Sequence, residues 1–290
     1  MSHFTTFALA GLGNVGTFIA EELLKRKAAG KAKRVVILTR SSGDDEKYEP
    51  YKRNGAEVLT VDYSSKDSLT AALSGIEVVV STIALGVSDA QSSLAVAAKE
   101  AGVKLFVPSE FGSPTDSLSS GPLSPKHKMR EQLKTLDLPY ALIYNGAFTD
   151  RIFSARLGID PVGGKATLGG DGSALVSFTT RSDVARYVAW ILTELPPEKL
   201  VWKKFQIEGE RASFNEIIER YTIKTGKKVD VTYRSTAELE EAIKENPGDM
   251  KSVLLLMFTR GNGAVGNKEE VANAEFAGWN PKSVIDVLSP

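Results

Sequence analysis

Two kinds of residue in this chain are spaced to hold phosphate. The first are the glycines of Gly11-Leu12-Gly13-Asn14-Val15-Gly16. An apolar run (residues 4–10) leads straight into them, and an amphipathic pattern follows at once. Strand, glycine turn and helix in that order are the setting in which Gly-x-Gly-x-x-Gly binds a dinucleotide. Gly11 permits the tight turn, Gly13 lets a pyrophosphate approach the backbone, and Gly16 lets helix and strand pack closely. The phosphates would meet N–H groups at a helix N-terminus, where the dipole favours negative charge. The competing reading is a plain strand-to-helix turn.

The second are cations after the next apolar run. Residues 34–39 end at Arg40, where NAD-binding folds commonly place an acid for the ribose 2′-hydroxyl. Arg40, followed by Ser41 and Ser42, suits a 2′-phosphate instead, so NADP is favoured over NAD. The bland alternative is a surface arginine beside a turn. Lys47 could add a second charge, although a solvated surface role fits it better. Asp62 follows the third apolar run, either as an acceptor for the adenine amine or as a turn acid. Ser81 and Thr82 follow the fourth, near where the nicotinamide-side ribose and phosphate would run. Local turn bonding is the alternative for both.

The elements that must position these residues alternate. Strand-like runs lie at 4–10, 34–39, 57–61, 77–81, 104–107 and 140–144, with helical patterns at 15–28, 68–73, 89–101 and 126–136 between them. Continuous Val/Ile/Leu strands separated by helices predict a parallel sheet covered on both faces. Ligands then bind beyond the C-terminal strand ends. The second half is less regular. Helices are expected at 182–195, 213–225 and 237–246, and short strands at 204–208 and 228–233. Ser213 and Glu216 form a capping-box pattern. Residues 112–125 are a Ser/Pro/Gly-rich loop of the length typical of a functional lid or a disordered segment. The apolar run 253–258 fits the core, with a pocket wall or a dimer contact as alternatives.

Composition narrows the function classes. The 290 residues carry 36 Lys plus Arg against 36 Asp plus Glu, which leaves no basic footprint for nucleic acid or an anionic membrane. There is no cysteine, and His3 and His127 are the only histidines, so no metal site is expected. No apolar run approaches membrane-spanning length. A soluble cytoplasmic protein is the default expectation, and a homodimer is left open.

The most specific string is Phe106-Val107-Pro108-Ser109-Glu110-Phe111-Gly112. With the glycine loop and Arg40 it resembles the NmrA-like and isoflavone reductase-like family, which are atypical short-chain dehydrogenase/reductases. The resemblance covers most of the chain, is strongest from Phe4 to Phe148 and fades after Tyr233. It implies a Rossmann-like α/β domain over residues 1–150 that binds NADP(H). A smaller α+β substrate region over 151–290 follows, with 175–195 packing back on the sheet.

The resemblance also singles out Lys126. In Lys126-His127-Lys128-Met129-Arg130, followed by Pro139-Tyr140, it falls on the family's catalytic lysine. Without the family it reads as a solvated helix lysine, and His127 as exposed and incidental. The implied activity is reduction of an aromatic, phenolic or ketone-like molecule by hydride transfer, with Lys126 handling the proton. The alternative is a non-catalytic NADP-binding redox sensor of the NmrA type. Phe111 and Phe148 are candidate substrate-pocket residues or, equally, core. The one Tyr-x-x-x-Lys, Tyr48 to Lys52, lies before the third strand and reads as chance. Leu12 and Arg181 depart from common family residues.

Overall fold

A computed structural model of the chain describes residues 3–116, 118, 119 and 121–290. In chain order the first half contains β1 (Thr6–Ala10), α1 (Gly16–Ala28), β2 (Arg34–Thr39), α2 (Glu49–Arg53), β3 (Glu57–Thr60), α3 (Lys66–Ala72), β4 (Val78–Ser81), α4 (Ser88–Glu100), β5 (Leu105–Val107), α5 (Ser124–Thr135) and β6 (Ala141–Tyr144). The second half contains β7 (Ala147–Phe148), α6 (Thr149–Ile152), β8 (Ile159–Asp160), β9 (Lys165–Gly169), β10 (Leu175–Thr179), α7 (Arg181–Glu194), β11 (Lys203–Gln206), β12 (Glu210–Ser213), α8 (Phe214–Thr225), β13 (Asp230–Arg234), α9 (Thr236–Glu245), α10 (Met250–Thr259) and α11 (Val284–Leu288).

The chain divides into two compact units. The first takes in residues up to Glu110 together with Leu123–Ile143 and Val184–Phe205. The second takes in Phe111–Pro122, Tyr144–Asp183 and Gln206–Pro290.

The first unit is built on a five-stranded parallel sheet in the order β3-β2-β1-β4-β5. β1 lies between β2 and β4, with Leu9 facing Ile37 on one side and Val80 on the other. Successive residues of β1, β2, β4 and β5 are buried without alternation. That pattern arises when both faces are covered, and it explains why these strands read as unbroken apolar runs. The strand expected at 140–144 forms as β6, but it meets β5 only through a parallel bridge between Phe106 and Tyr140. Its ladder partner is β11.

The second unit has two three-stranded sheets, β12-β10-β7 and β13-β9-β8. Phe178 of β10 lies at the centre of an aromatic cluster, with ring centroids 5.5 Å from both Phe153 and Phe214. Phe258 of α10 joins it, 5.6 Å from Phe214. The apolar run at 253–258 is therefore helical and contributes Leu255, Leu256 and Phe258 to this core. The capping box at the start of α8 is complete. Ser213 Oγ accepts from the Glu216 N–H at 3.2 Å, and the Glu216 carboxylate accepts from the Ser213 N–H at 2.7 Å. Each bond satisfies a donor that a helix start otherwise leaves unpaired. No helix among the described residues is long and apolar enough to cross a membrane.

Candidate functional site

Behind β1 the chain turns at Gly11, whose φ of +100° is open only to glycine at low cost. A side chain at Gly16 would overlap the Gly11 carbonyl oxygen and the Thr82 hydroxyl, so this glycine lets α1 start directly against the turn. Gly13 has nothing within 4 Å of where a Cβ would sit, so its backbone faces open space. α1 begins with neither a side-chain cap on Val15 nor an acid in its first turn. An unshielded helix start of this kind is suited to an anion. Thr82, just past β4, donates from Oγ1 to the Gly11 carbonyl at 2.6 Å and holds the turn in shape.

A cavity of about 590 Å³ lies against this turn. Of the residues singled out in the sequence, Gly11, Leu12, Gly13, Arg40, Ser41, Lys47, Tyr48 and Thr82 line it. Asn14, Val15, Gly16, Asp62 and Ser81 are not among its walls. Val15 and Gly16 act from behind, as the start of α1. Ser81 is fully buried, and its hydroxyl has no hydrogen-bond partner among the described residues. Asp62 closes a local turn, accepting from the Ser64 N–H at 2.8 Å and its hydroxyl at 2.6 Å. Those bonds hold its carboxyl below the usual range.

Arg40 is solvent-exposed at the C-terminal end of β2. Lys47 donates to Ser41 Oγ at 3.0 Å and pairs with Asp45 at 2.9 Å. It also lies 4.9 Å from the centre of the Tyr48 ring. Tyr48, buried, shares hydrogen bonds with Thr39 (2.5 Å) and Ser41 (2.9 Å). Tyr48, Tyr51 and Tyr63 all line the cavity; the sequence reading set Tyr48 aside as part of a chance spacing and did not single out Tyr51 or Tyr63. Burial pushes the Tyr63 phenol up to about 12, against the opposing charge of Arg40. The Tyr48-x-x-x-Lys52 spacing brings no pair together. Tyr48 faces Thr39 and Ser41, while Lys52 pairs with Asp44 and Glu49.

Lys126 belongs to a separate cluster of the first unit. It lies in the first turn of α5, with only 15% of its side chain exposed, and Nζ donates to the main-chain carbonyl of Glu110. The expectation of a solvated helix lysine is thus corrected for the side chain's surroundings. The Glu110 carboxylate lies with Oε2 4.0 Å from Nζ and is 1% exposed. Arg130, one helical turn on, donates from Nη1 to Glu110 Oε1 at 2.6 Å. Burial holds the Lys126 amine below the usual lysine value. Glu110 pulls it up and Arg130 pushes it down. Sequence reading took Glu110 and Arg130 only as letters of a motif, because their pairing needs α5 packed behind β5. His127 is half-buried rather than exposed.

Phe111 and Phe148 both belong to the second unit. Phe111 is buried. Phe148 pairs by register with Thr179, is partly exposed, and lies outside the unit's core cluster.

A parallel sheet in this order, a glycine turn behind its first strand and a cavity at the strand ends define an α/β protein of the Rossmann type. The chain belongs to the NmrA-like family, whose model matches residues 7–276. It is 26% identical over 274 residues to an isoflavone reductase homolog of Nicotiana glauca, covering 88% of this chain and 86% of that one. It is also 26% identical over 272 residues to phenylcoumaran benzylic ether reductase Betv6 of Betula pendula, with the same coverage. In fold it is similar to AtPrR2 solved with NADP+ and (+)pinoresinol, with a TM-score of 0.84, 21% identity and 99% of each chain covered. It is similar too to the leucoanthocyanidin reductase–NADPH complex from Vitis vinifera, with a TM-score of 0.82, 19% identity and 97% of each chain covered.

Proposed function

We propose that this chain is an NADPH-dependent reductase of a small aromatic, phenolic or ketone-like molecule, with Lys126 as proton donor or acceptor. The first unit would bind the cofactor, and Phe111 and Phe148 are the candidate substrate contacts. The observation that carries the reading is the setting of Lys126. A lysine that serves only solubility has no reason to be largely withdrawn from water beside an Arg–Glu pair.

The cavity fits NADP(H) on its own features. The open backbone at Gly13 and the uncapped start of α1 would take the pyrophosphate. Arg40, Ser41 and Lys47 would take the 2′-phosphate through charge-assisted bonds, and no acid at the end of β2 competes for a ribose hydroxyl. About 590 Å³ lies within the roughly 300–1,000 Å³ of small-molecule sites.

When bound, NADPH supplies a hydride to an electrophilic carbon. Lys126 answers the charge that develops on a substrate oxygen, first by its field and then by giving up a proton. Its lowered proton affinity shortens the gap to neutral pH, which makes both directions of transfer easier. The name of one relative supports the reading: it is a phenylcoumaran benzylic ether reductase.

The test is a fluorescence titration with NADPH and NADH, followed by NADPH consumption over a panel of phenolic ethers, quinones and aryl ketones. Preference for NADPH and turnover of at least one class are expected. Equal or absent binding would overturn the cofactor assignment. Tight binding without any turnover would favour the redox-sensor role.

A further inference from the structure

Two cations and one anion meet at the start of α5. Lys126 and Arg130 are four residues apart, so they project from the same helix face. Both face Glu110, which follows β5 and is all but inaccessible to water. If all three groups are charged, the cluster holds one excess positive charge away from solvent. Such a site makes the loss of a proton easier, because the charged form bears a desolvation cost. Arginine does not deprotonate in proteins, so the burden falls on the lysine.

The geometry shows how the one carboxylate is shared. Arg130 holds Glu110 Oε1 at 2.6 Å, a full charge-assisted bond. Lys126 is 4.0 Å from Oε2, at the limit of an ion pair, and its hydrogen bond goes instead to the Glu110 main-chain oxygen. A neutral amine can keep a bond to a carbonyl by donating N–H, whereas a tight carboxylate pair would lock it as ammonium.

We propose that Arg130 is a positioning residue: by occupying the Glu110 carboxylate it keeps Lys126 out of a closed ion pair and on the Glu110 carbonyl, where the amine can exchange its proton. The groups whose charge bears on Nζ are Glu110, from the segment after β5, and Arg130, from α5 itself. The inference deepens the reductase reading and rests on it for its purpose, but not for its test.

The test is competitive acetylation of lysines across pH, with the Lys126 peptide quantified by mass spectrometry. Only the free amine reacts, so the midpoint reports the proton affinity of Lys126 without any substrate. Arg130→Gln frees the carboxylate for Lys126, so its midpoint should rise by about one pH unit or more, a roughly tenfold loss of reactivity below the midpoint. Arg130→Lys restores a cation and should bring the midpoint most of the way back. Glu110→Gln removes the attracting charge while leaving Arg130, and should move the midpoint down. The opposite signs keep the idea falsifiable even if one variant folds poorly. A midpoint unchanged in Arg130→Gln or Glu110→Gln, or moved in the reverse sense, overturns the proposal. The reductase reading fails separately, through unaltered turnover in Lys126→Ala.

Discussion

Replacing Arg40 by alanine separates the two nicotinamide cofactors. Arg40 stands exposed at the end of β2 and lines the cavity beside Ser41 and Lys47. A guanidinium on a phosphate makes charge-assisted bonds that contribute about 1.5–3 kcal/mol. Exposure screens that toward the lower end, so a loss of about 1.5–2 kcal/mol is expected, a rise in the Kd for NADPH of roughly 10–30-fold. Binding is not abolished, because Lys47 remains. That residue is 58% exposed and already shared with Asp45 and Ser41, so it supplies the smaller part. NADH has no 2′-phosphate, and its Kd should change less than twofold. Added salt should weaken NADPH binding more in the wild type than in the variant. Fluorescence titration of both proteins with both cofactors measures all of this. Equal losses for NADPH and NADH would show that Arg40 does not read the 2′-phosphate.

Three further outcomes follow from the geometry. Gly16→Ala places a Cβ on the Gly11 carbonyl and the Thr82 hydroxyl, so unfolding should become easier by about 1–3 kcal/mol in denaturant titration, with weaker cofactor binding. Ser213→Ala removes the cap of α8 and should cost about 1 kcal/mol by the same measurement, without changing cofactor affinity. Lys126→Met should raise the melting temperature at neutral pH. The native lysine has a lowered pKa, so between that value and the ordinary lysine value the unfolded chain binds more protons and wild-type stability climbs with pH. The advantage of the methionine variant should therefore shrink as pH rises through that window; a constant or growing advantage would reverse the sign assigned to Lys126.

The sheet of the first unit was readable because its strands are buried on both faces, so β1, β2, β4 and β5 appear as plain apolar runs. The strands at β9, β10 and β12 escaped notice because they are short, carry polar residues such as Lys165, Thr167 and Arg211, and owe their pairing to distant partners. The helix at Glu49–Arg53 is five residues long with Pro50 in its first turn, too short for a periodic signal. Strands expected at 204–208 and 228–233 form one to two residues away, at Lys203–Gln206 and Asp230–Arg234. The cavity-lining residues Gly11, Gly13 and Arg40 were legible because each sits at a strand end, where position alone implies proximity to a ligand. Tyr51 and Tyr63 were not, and Tyr48 was noticed only in a chance spacing, since all three reach the cavity from segments with no regular pattern. Nor was the Glu110–Arg130 pair, which exists only once α5 is packed.

Lys126 is proposed to carry the proton chemistry of a cofactor-dependent reduction. The direct measurement sets the NADPH affinity of Lys126→Ala beside its NADPH consumption with any substrate the wild type accepts. An unchanged Kd is expected, with a turnover lower by about 10²–10⁴-fold, the contribution typical of a general acid. Wild-type turnover in that variant would contradict it.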